Sequence, residues 1–163
     1  MTRQEITEFY REHHRRLYNI SLRILRDSDE AEEVMQDTIL KFVSSPGSFT
    51  SSAQVSAWLA RTCIRASIDR LRRRQRRDAF LEDYGRDQGS DVIPGEVKES
   101  FSVEQIRSAM DRLQEPYRLV LNLVLIEGLD YGEIAEMTGK NENTLRSLYA
   151  RGRHKLIDTL RMI

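Results

Sequence analysis

The sequence predicts an all-α protein built as two small helical domains joined by a linker, and three observations lead there. Apolar residues recur at three- and four-residue spacing over most of the chain, without strand-type alternation or an internal repeat. Short oxygen-bearing side chains and glycines stand where those periodic runs start and stop. Over 78–101 the period lapses into a stretch with three Gly, one Pro and a surplus of acidic residues. A first domain is therefore expected over 1–77, a linker over 78–101 and a second domain over 102–163.

Each element follows from its own residues. Segment 3–25 sets Ile6, Phe9, Tyr10, Leu17, Ile20, Ile24 and Leu25 mainly on one helical face. Asp27-Ser28-Asp29 ends that helix and starts the next, because short side-chain oxygens accept from the exposed N–H groups of a first turn. The second helix, about 29–43, carries Ala31, Val34, Met35, Thr38, Ile39 and Phe42, and Ser44-Ser45-Pro46-Gly47-Ser48 ends it. A loop holding Phe49 leads to a third helix, from about Ala53 into a run of arginines. Its apolar set is Val55, Trp58, Leu59, Thr62, Ile64, Ile68 and Leu71. In the linker, Phe80, Leu81 and Tyr84 are candidates for a short interaction patch. Ser102 caps a helix with Val103, Ile106, Ala109, Met110 and Leu113. Pro116 opens a helix over 116–127, where its missing N–H does no harm, and Gly128 closes it. Two more helices are expected over about 131–138 and 142–161.

Composition excludes several classes. With 39% apolar and 32% charged residues the chain suits a folded soluble protein with modest cores. No stretch approaches the roughly 18 apolar residues of a membrane span, and the start, MTRQEITEFY, lacks the apolar run of a secretion signal. The single cysteine, Cys63, lies on the apolar side of its helix and reads as a packed thiol, which fits a reducing cytoplasm. No Ser-His-Asp set or phosphate loop is present; His13 and His14 point to different helix faces, and His154 has no companion ligands. No catalytic residue, metal site or cofactor is expected.

The formal net charge of zero, 26 Lys+Arg against 26 Asp+Glu, conceals segregation. Residues 1–77 hold 15 basic against 10 acidic side chains, 78–101 hold 2 against 7, and 102–163 hold 9 against 9. Within 65–77, Arg65, Arg70, Arg72, Arg73, Arg74, Arg76 and Arg77 face only Asp69. Such a cluster repels itself unless it is solvated or meets an anion, and nucleic acid is the commonest such partner.

Segment 130–160 has the layout of a helix-turn-helix. Tyr131, Ile134, Ala135 and Met137 make a short first helix, and Gly139 supplies a turn free of Cβ strain. Asn141 or Asn143 caps the second helix, with Leu145, Leu148 and Leu156 as its buried stripe. Its other face carries Glu142, Asn143, Thr144, Arg146, Ser147, Arg151 and Arg153, so early residues suit base edges and later arginines suit phosphates. Alone this says only that the chain binds DNA.

Three ordered strings say more: LYNISLRILRDSDEAEEVMQDTILKF, AWLARTCIRASIDRLRRRQRR and LQEPYRLVLNLVLIEGLDYGEIAEMTGKNENTLRSLYARGRHKL. Together, over roughly 9–77 and 103–160, they closely resemble the extracytoplasmic-function group of the sigma-70 family, which keeps regions two and four and joins them by a linker. The resemblance implies a factor that binds core RNA polymerase through the β′ clamp helices and the β flap. It also implies promoter DNA as a partner and control by an anti-sigma protein, often membrane-bound. Glu32, Glu33, Gln36 and Asp37 match the positions that face the clamp helices; without the resemblance, these acids would simply favour the positive end of their helix. Trp58 and Leu59 match the family's Trp-Leu pair, read as core packing. The loop of about 44–54 corresponds to the pocket for a flipped base of the minus-ten element, where Phe49, Ser51, Ser52 and Gln54 offer stacking and edge contacts. Asp69 and the arginines from Arg65 to Arg77, among them Arg72, Arg73, Arg74, Arg76 and Arg77, match the end of region two, where the family contacts promoter DNA. Asn143, Thr144, Arg146, Ser147, Arg151 and Arg153, within a helix-turn-helix over 131–153, match the reader of the minus-thirty-five element.

Two positions depart from the family pattern: Arg65 replaces a usual Asn, and Leu148, followed by Tyr149, replaces a usual Arg. One phosphate contact is then absent or supplied by Arg151 or Arg153. The rival reading is a free-standing helix-turn-helix regulator that binds duplex DNA as a dimer, and the acidic helix, for which such a protein has no use, separates the two.

Overall fold

The computed structural model describes residues 1–77 and 99–163, without the side chains of Arg76 and Arg77, so Phe80, Leu81 and Tyr84 lie outside the described residues. The described residues form two compact units, each with its own core. Their regular elements are all helical: α1 (Arg3–Leu25), α2 (Ser28–Ser44) and α3 (Ser52–Arg77) in the first unit, then α4 (Val103–Asp111), α5 (Glu115–Leu121), α6 (Tyr131–Thr138) and α7 (Glu142–Met162) in the second. Among the described residues no helix is long and apolar enough to cross a membrane.

The first unit is a three-helix bundle in which each helix packs on the other two. Its helix starts are built by the capping residues themselves. Thr2 Oγ1 accepts from the Glu5 N–H at 3.1 Å while Glu5 Oε2 accepts from the Thr2 N–H at 2.8 Å, which satisfies two donors that a helix start leaves open. Asp27 Oδ1 accepts from the Glu30 N–H at 2.9 Å and so begins α2. Leu17, Ile20, Ile24 and Leu25 of α1 meet Ala31, Val34, Met35 and Ile39 of α2 and Leu59, Ile64, Ile68 and Leu71 of α3 in the interior. Cys63 is fully buried, its thiol donating to the Leu17 carbonyl at 3.3 Å, as a packed thiol should.

His13 is buried beside Phe9, ring centroids 4.5 Å apart. Burial disfavours its charged form and holds its pKa below the usual 6.5, opposed in part by the nearby Glu12 carboxylate. The unfolded chain therefore takes up this proton more readily than the folded one. The stability that follows is intact above the unfolded value and is lost as pH falls below it. The melting temperature of the first unit should fall as pH drops below the ordinary histidine value of 6.5, and His13→Gln should remove that portion of the slope. A slope that survives the substitution would clear His13 of the effect.

In the second unit α7 is the hub, packing on α4, α5 and α6. Ser102 opens α4 with a capping box to Gln105, and Asp130 opens α6 with another to Glu133. Ala109, Met110 and Leu113 pack with Leu121, Leu156 and Leu160. Val103 and Ile106, expected in the same apolar set, are 71% and 40% exposed, because α4 meets this cluster only along its C-terminal half. Glu99 and Phe101, within the expected linker, also join this unit: Glu99 pairs with Arg161 at 3.2 Å and Phe101 packs on the core cluster.

The single helix expected over 116–127 changes pitch. After Leu121 the chain takes one π-helical turn, Asn122–Ile126, with the Glu127 N–H donating to the Asn122 carbonyl at 3.1 Å. This turn leaves Leu125 and Ile126 half exposed. Gly128, at φ 69°, then reverses the chain into α6.

Candidate functional site

The exposed surface of α2 is acidic because its buried stripe uses every third or fourth position and leaves the acids outside. Glu32, Glu33, Gln36 and Asp37 are all exposed, on two adjacent i, i+4 rows. Glu32 Oε1 accepts from Gln36 Nε2 at 3.4 Å. Glu33 and Asp37 are instead bridged from α3: Arg70 Nη1 lies 2.6 Å from Glu33 Oε2 and Arg70 Nη2 lies 3.7 Å from Asp37 Oδ2.

The arginine run of α3 divides by direction. Arg65, Asp69 and Arg73 are exposed and Arg72 is half-buried. Arg74 turns inward: it donates to the Leu25 carbonyl at 3.0 Å and forms a close ion pair with Glu30, which pins the corner between α1 and α2. Arg70 also turns to α2. Sequence grouped both with the DNA-facing arginines, since partners 37 and 44 residues away leave no local trace.

The loop before α3 is organised by the residues assigned to a base pocket. Ser51 Oγ accepts from the Gln54 N–H at 3.2 Å and starts the helix, while Gln54 Oε1 accepts from both the N–H and the hydroxyl of Thr50 at 2.8 and 2.9 Å. Phe49 packs on Phe42 and Trp58, with ring centroids 5.7 and 6.3 Å away, and Phe42 in turn stacks on Phe9 at 4.7 Å. Trp58 is half-buried and Leu59 fully buried, so the pair packs as expected. Ser52 is exposed at the first position of α3.

In the second unit Gly139 adopts φ 75°, the left-handed backbone that the turn between α6 and α7 needs. Asn141, rather than Asn143, caps α7 by accepting from the Thr144 N–H at 2.7 Å. Asn143 Oδ1 instead accepts from Arg146 Nη1 at 3.3 Å, and the Arg146 guanidinium lies 5.3 Å over the Tyr131 ring. Sequence marks Tyr131 only as a member of the short first helix, and its place beneath Arg146 has no local signal because it depends on the crossing of α6 and α7. Burial raises the Tyr131 pKa, so the ring stays a neutral phenol. Asn141, Asn143, Thr144, Ser147, Leu148 and Arg151 line a shallow open depression on the N-terminal half of α7. Leu148 is only 3% exposed and belongs to the buried stripe. Arg151 and Arg153 are half-buried further along the same helix.

Comparison with known proteins agrees with this layout. Residues 9–77 match sigma-70 region 2 and residues 103–156 match sigma-70 region 4. The chain is 32% identical over 160 residues to the ECF RNA polymerase sigma factor SigM of Mycobacterium tuberculosis, spanning 94% of this chain and 76% of that protein. Against the ECF RNA polymerase sigma factor SigE of Mycolicibacterium smegmatis it is 32% identical over 161 residues, covering 94% of this chain but only 60% of the relative. A solved sigma factor RpoE, in complex with the anti-sigma factor NepR from Bartonella quintana, shares the fold at a TM-score of 0.57 with 22% identity, over 97% of this chain and 98% of that one. The chain belongs to the extracytoplasmic-function group of the sigma-70 family of RNA polymerase sigma factors.

Proposed function

We propose that this sigma factor docks on core RNA polymerase through Glu32, Glu33, Gln36 and Asp37 on α2 and directs it to promoters. In this reading 1–77 is the docking and minus-ten domain, 78–101 the linker, its last residues Glu99 and Phe101 packed on the second domain, and 102–163 the minus-thirty-five domain. The observation that carries the reading is an exposed acidic helix, α2, packed beside an arginine-rich one, α3, in the same small bundle. Acids repel DNA and attract basic side chains, so the two surfaces serve different partners.

On DNA, Arg65, Asp69, Arg72, Arg73, Arg76 and Arg77 lie along the minus-ten region, with Arg74 holding the bundle corner behind them. The loop of Phe49, Ser51, Ser52 and Gln54 captures an unpaired non-template base, its shape fixed beforehand by the Ser51, Gln54 and Phe49 contacts. Asn143, Thr144, Arg146, Ser147, Arg151 and Arg153 read the minus-thirty-five element, and the β flap holds the second domain. The protein works in the cytoplasm, makes and breaks no bond itself, and needs no cofactor. Family membership supports control by an anti-sigma factor, membrane-bound or soluble.

Incubation with purified core enzyme tests this. The chain should co-elute with core and start run-off transcription from a subset of genomic fragments. Failure of both, with binding to duplex DNA retained, would favour the free-standing regulator. A narrower test uses Arg72→Ala with Arg73→Ala, leaving Arg74 in place. Each phosphate contact contributes a slope of about −0.9 to the dependence of log affinity on log salt, so this pair should flatten the holoenzyme–promoter slope by about two. An unaltered slope would remove both from the DNA contact.

A further inference from the structure

Arg70 stands inside the arginine run, yet its guanidinium lies against the acidic helix. Its two terminal nitrogens go to different carboxylates, Glu33 at 2.6 Å and Asp37 at 3.7 Å. Exposure is unequal: the Arg70 side chain is 25% exposed, Glu33 62% and Asp37 73%. The cation therefore lies beneath two anions that face solvent. A carboxylate offers about four lone-pair sites, so each acid keeps acceptor capacity on its outer side after meeting Arg70. Unheld, these two side chains would sample several rotamers, and ordering them would weaken any complex that uses them. A planar fork hydrogen-bonded to Glu33 and within ion-pair reach of Asp37 lowers that cost before the partner arrives.

We infer that Arg70 is a positioning residue for polymerase docking: it holds Glu33 and Asp37 as a fixed acidic pair and makes no contact with DNA. The inference rests on the docking proposed above. Arg70 also cancels one negative charge of the patch, an effect that Arg70→Lys leaves in place because lysine carries the same charge.

Arg70→Lys isolates geometry from charge, because an ammonium is a point charge that cannot span both acids with a planar fork. In titrations of the labelled full chain with core polymerase, Arg70→Lys should weaken affinity about fivefold, chiefly through faster dissociation. The factor should shrink as salt rises, because the ion pairs that order the two acids are themselves screened. In a Glu33→Gln, Asp37→Asn background the same substitution should change nothing further. Wild-type affinity for Arg70→Lys, or an equal loss in both backgrounds, would overturn the positioning role. If the Gln/Asn pair itself binds polymerase normally, the docking reading falls with it; if that pair binds weakly while Arg70→Lys does not, only the role of Arg70 falls. Arg70→Met, which keeps an apolar stem, supplies the DNA arm. Its holoenzyme–promoter salt slope should equal wild type, and a slope flatter by about one would make Arg70 a phosphate contact instead.

Discussion

Gly152→Val is expected to unfold the second unit at a temperature where the first remains folded. A Cβ at Gly152 would stand 3.1 Å from Tyr117 Cβ and 3.3 Å from Leu121 Cδ1, and both neighbours are fully buried. Tyr117 Cβ is attached to the α5 backbone, so no rotamer change moves it away. Alanine there gains about 1 kcal/mol of helix propensity against a contact needing a shift of a few tenths of an ångström, and should stay near neutral. Valine brings two further methyls and little propensity gain. α5 and α7 must then separate, which opens the cluster of Leu121, Leu156 and Leu160. Overpacking of this kind costs about 3 kcal/mol or more, a large share of what a domain under about 70–80 residues has. The melting temperature of the second unit should fall by more than about 10 °C. The single tryptophan, Trp58, lies in the first unit, packed on Phe42 and Phe49, and reports the folding of that unit. Tryptophan fluorescence should therefore melt as in wild type while circular dichroism loses helix earlier, and promoter-directed transcription should fail. Melting of both signals at wild-type temperature would show that the helix crossing tolerates a larger residue.

The contrast between what sequence conveyed and what it did not follows the range of the interactions. Helix starts at Asp27 and Ser102 were readable because a cap is a contact over three residues, written in adjacent letters. The turn glycine Gly139 was readable for the same reason. The π turn after Leu121 was not, since Leu123, Val124, Leu125 and Ile126 are apolar all round and show no phase from which a change of pitch could be read. Gly152 carries no local signal of its role, which is set by Tyr117 packed opposite it from α5. The candidate site divides in the same way. Its acidic and polar-basic helix faces were legible as periodic patterns, but the direction of each arginine was not. Arg70 and Arg74 differ from Arg73 only in which part of the bundle their helical angle meets. Family resemblance carried the function further than pattern did, yet it could not show that Ser51 and Gln54 also build the loop in which they sit.

Reversing Glu33 and Asp37 to lysine is expected to abolish association with core polymerase, with a loss of at least about 100-fold. Like charges brought together at an interface cost several kcal/mol, and each 1.4 kcal/mol is tenfold in affinity. The substitution carries a second effect, because both new ammonium groups would face the Arg70 guanidinium that now bridges the two acids. These carboxylates are mostly exposed, so the internal repulsion is screened and should lower the stability of the first unit by no more than about 1 kcal/mol. Adding Arg70→Glu to the double reversal separates the consequences. The triple variant recovers an ion pair of opposite polarity, and its Trp58 melting curve should return toward wild type. Association should remain lost, because the outward charge is still positive. Recovery of polymerase binding along with stability would mean that the double variant failed through its fold. Normal binding by the double variant itself would remove the acidic face of α2 from the docking surface.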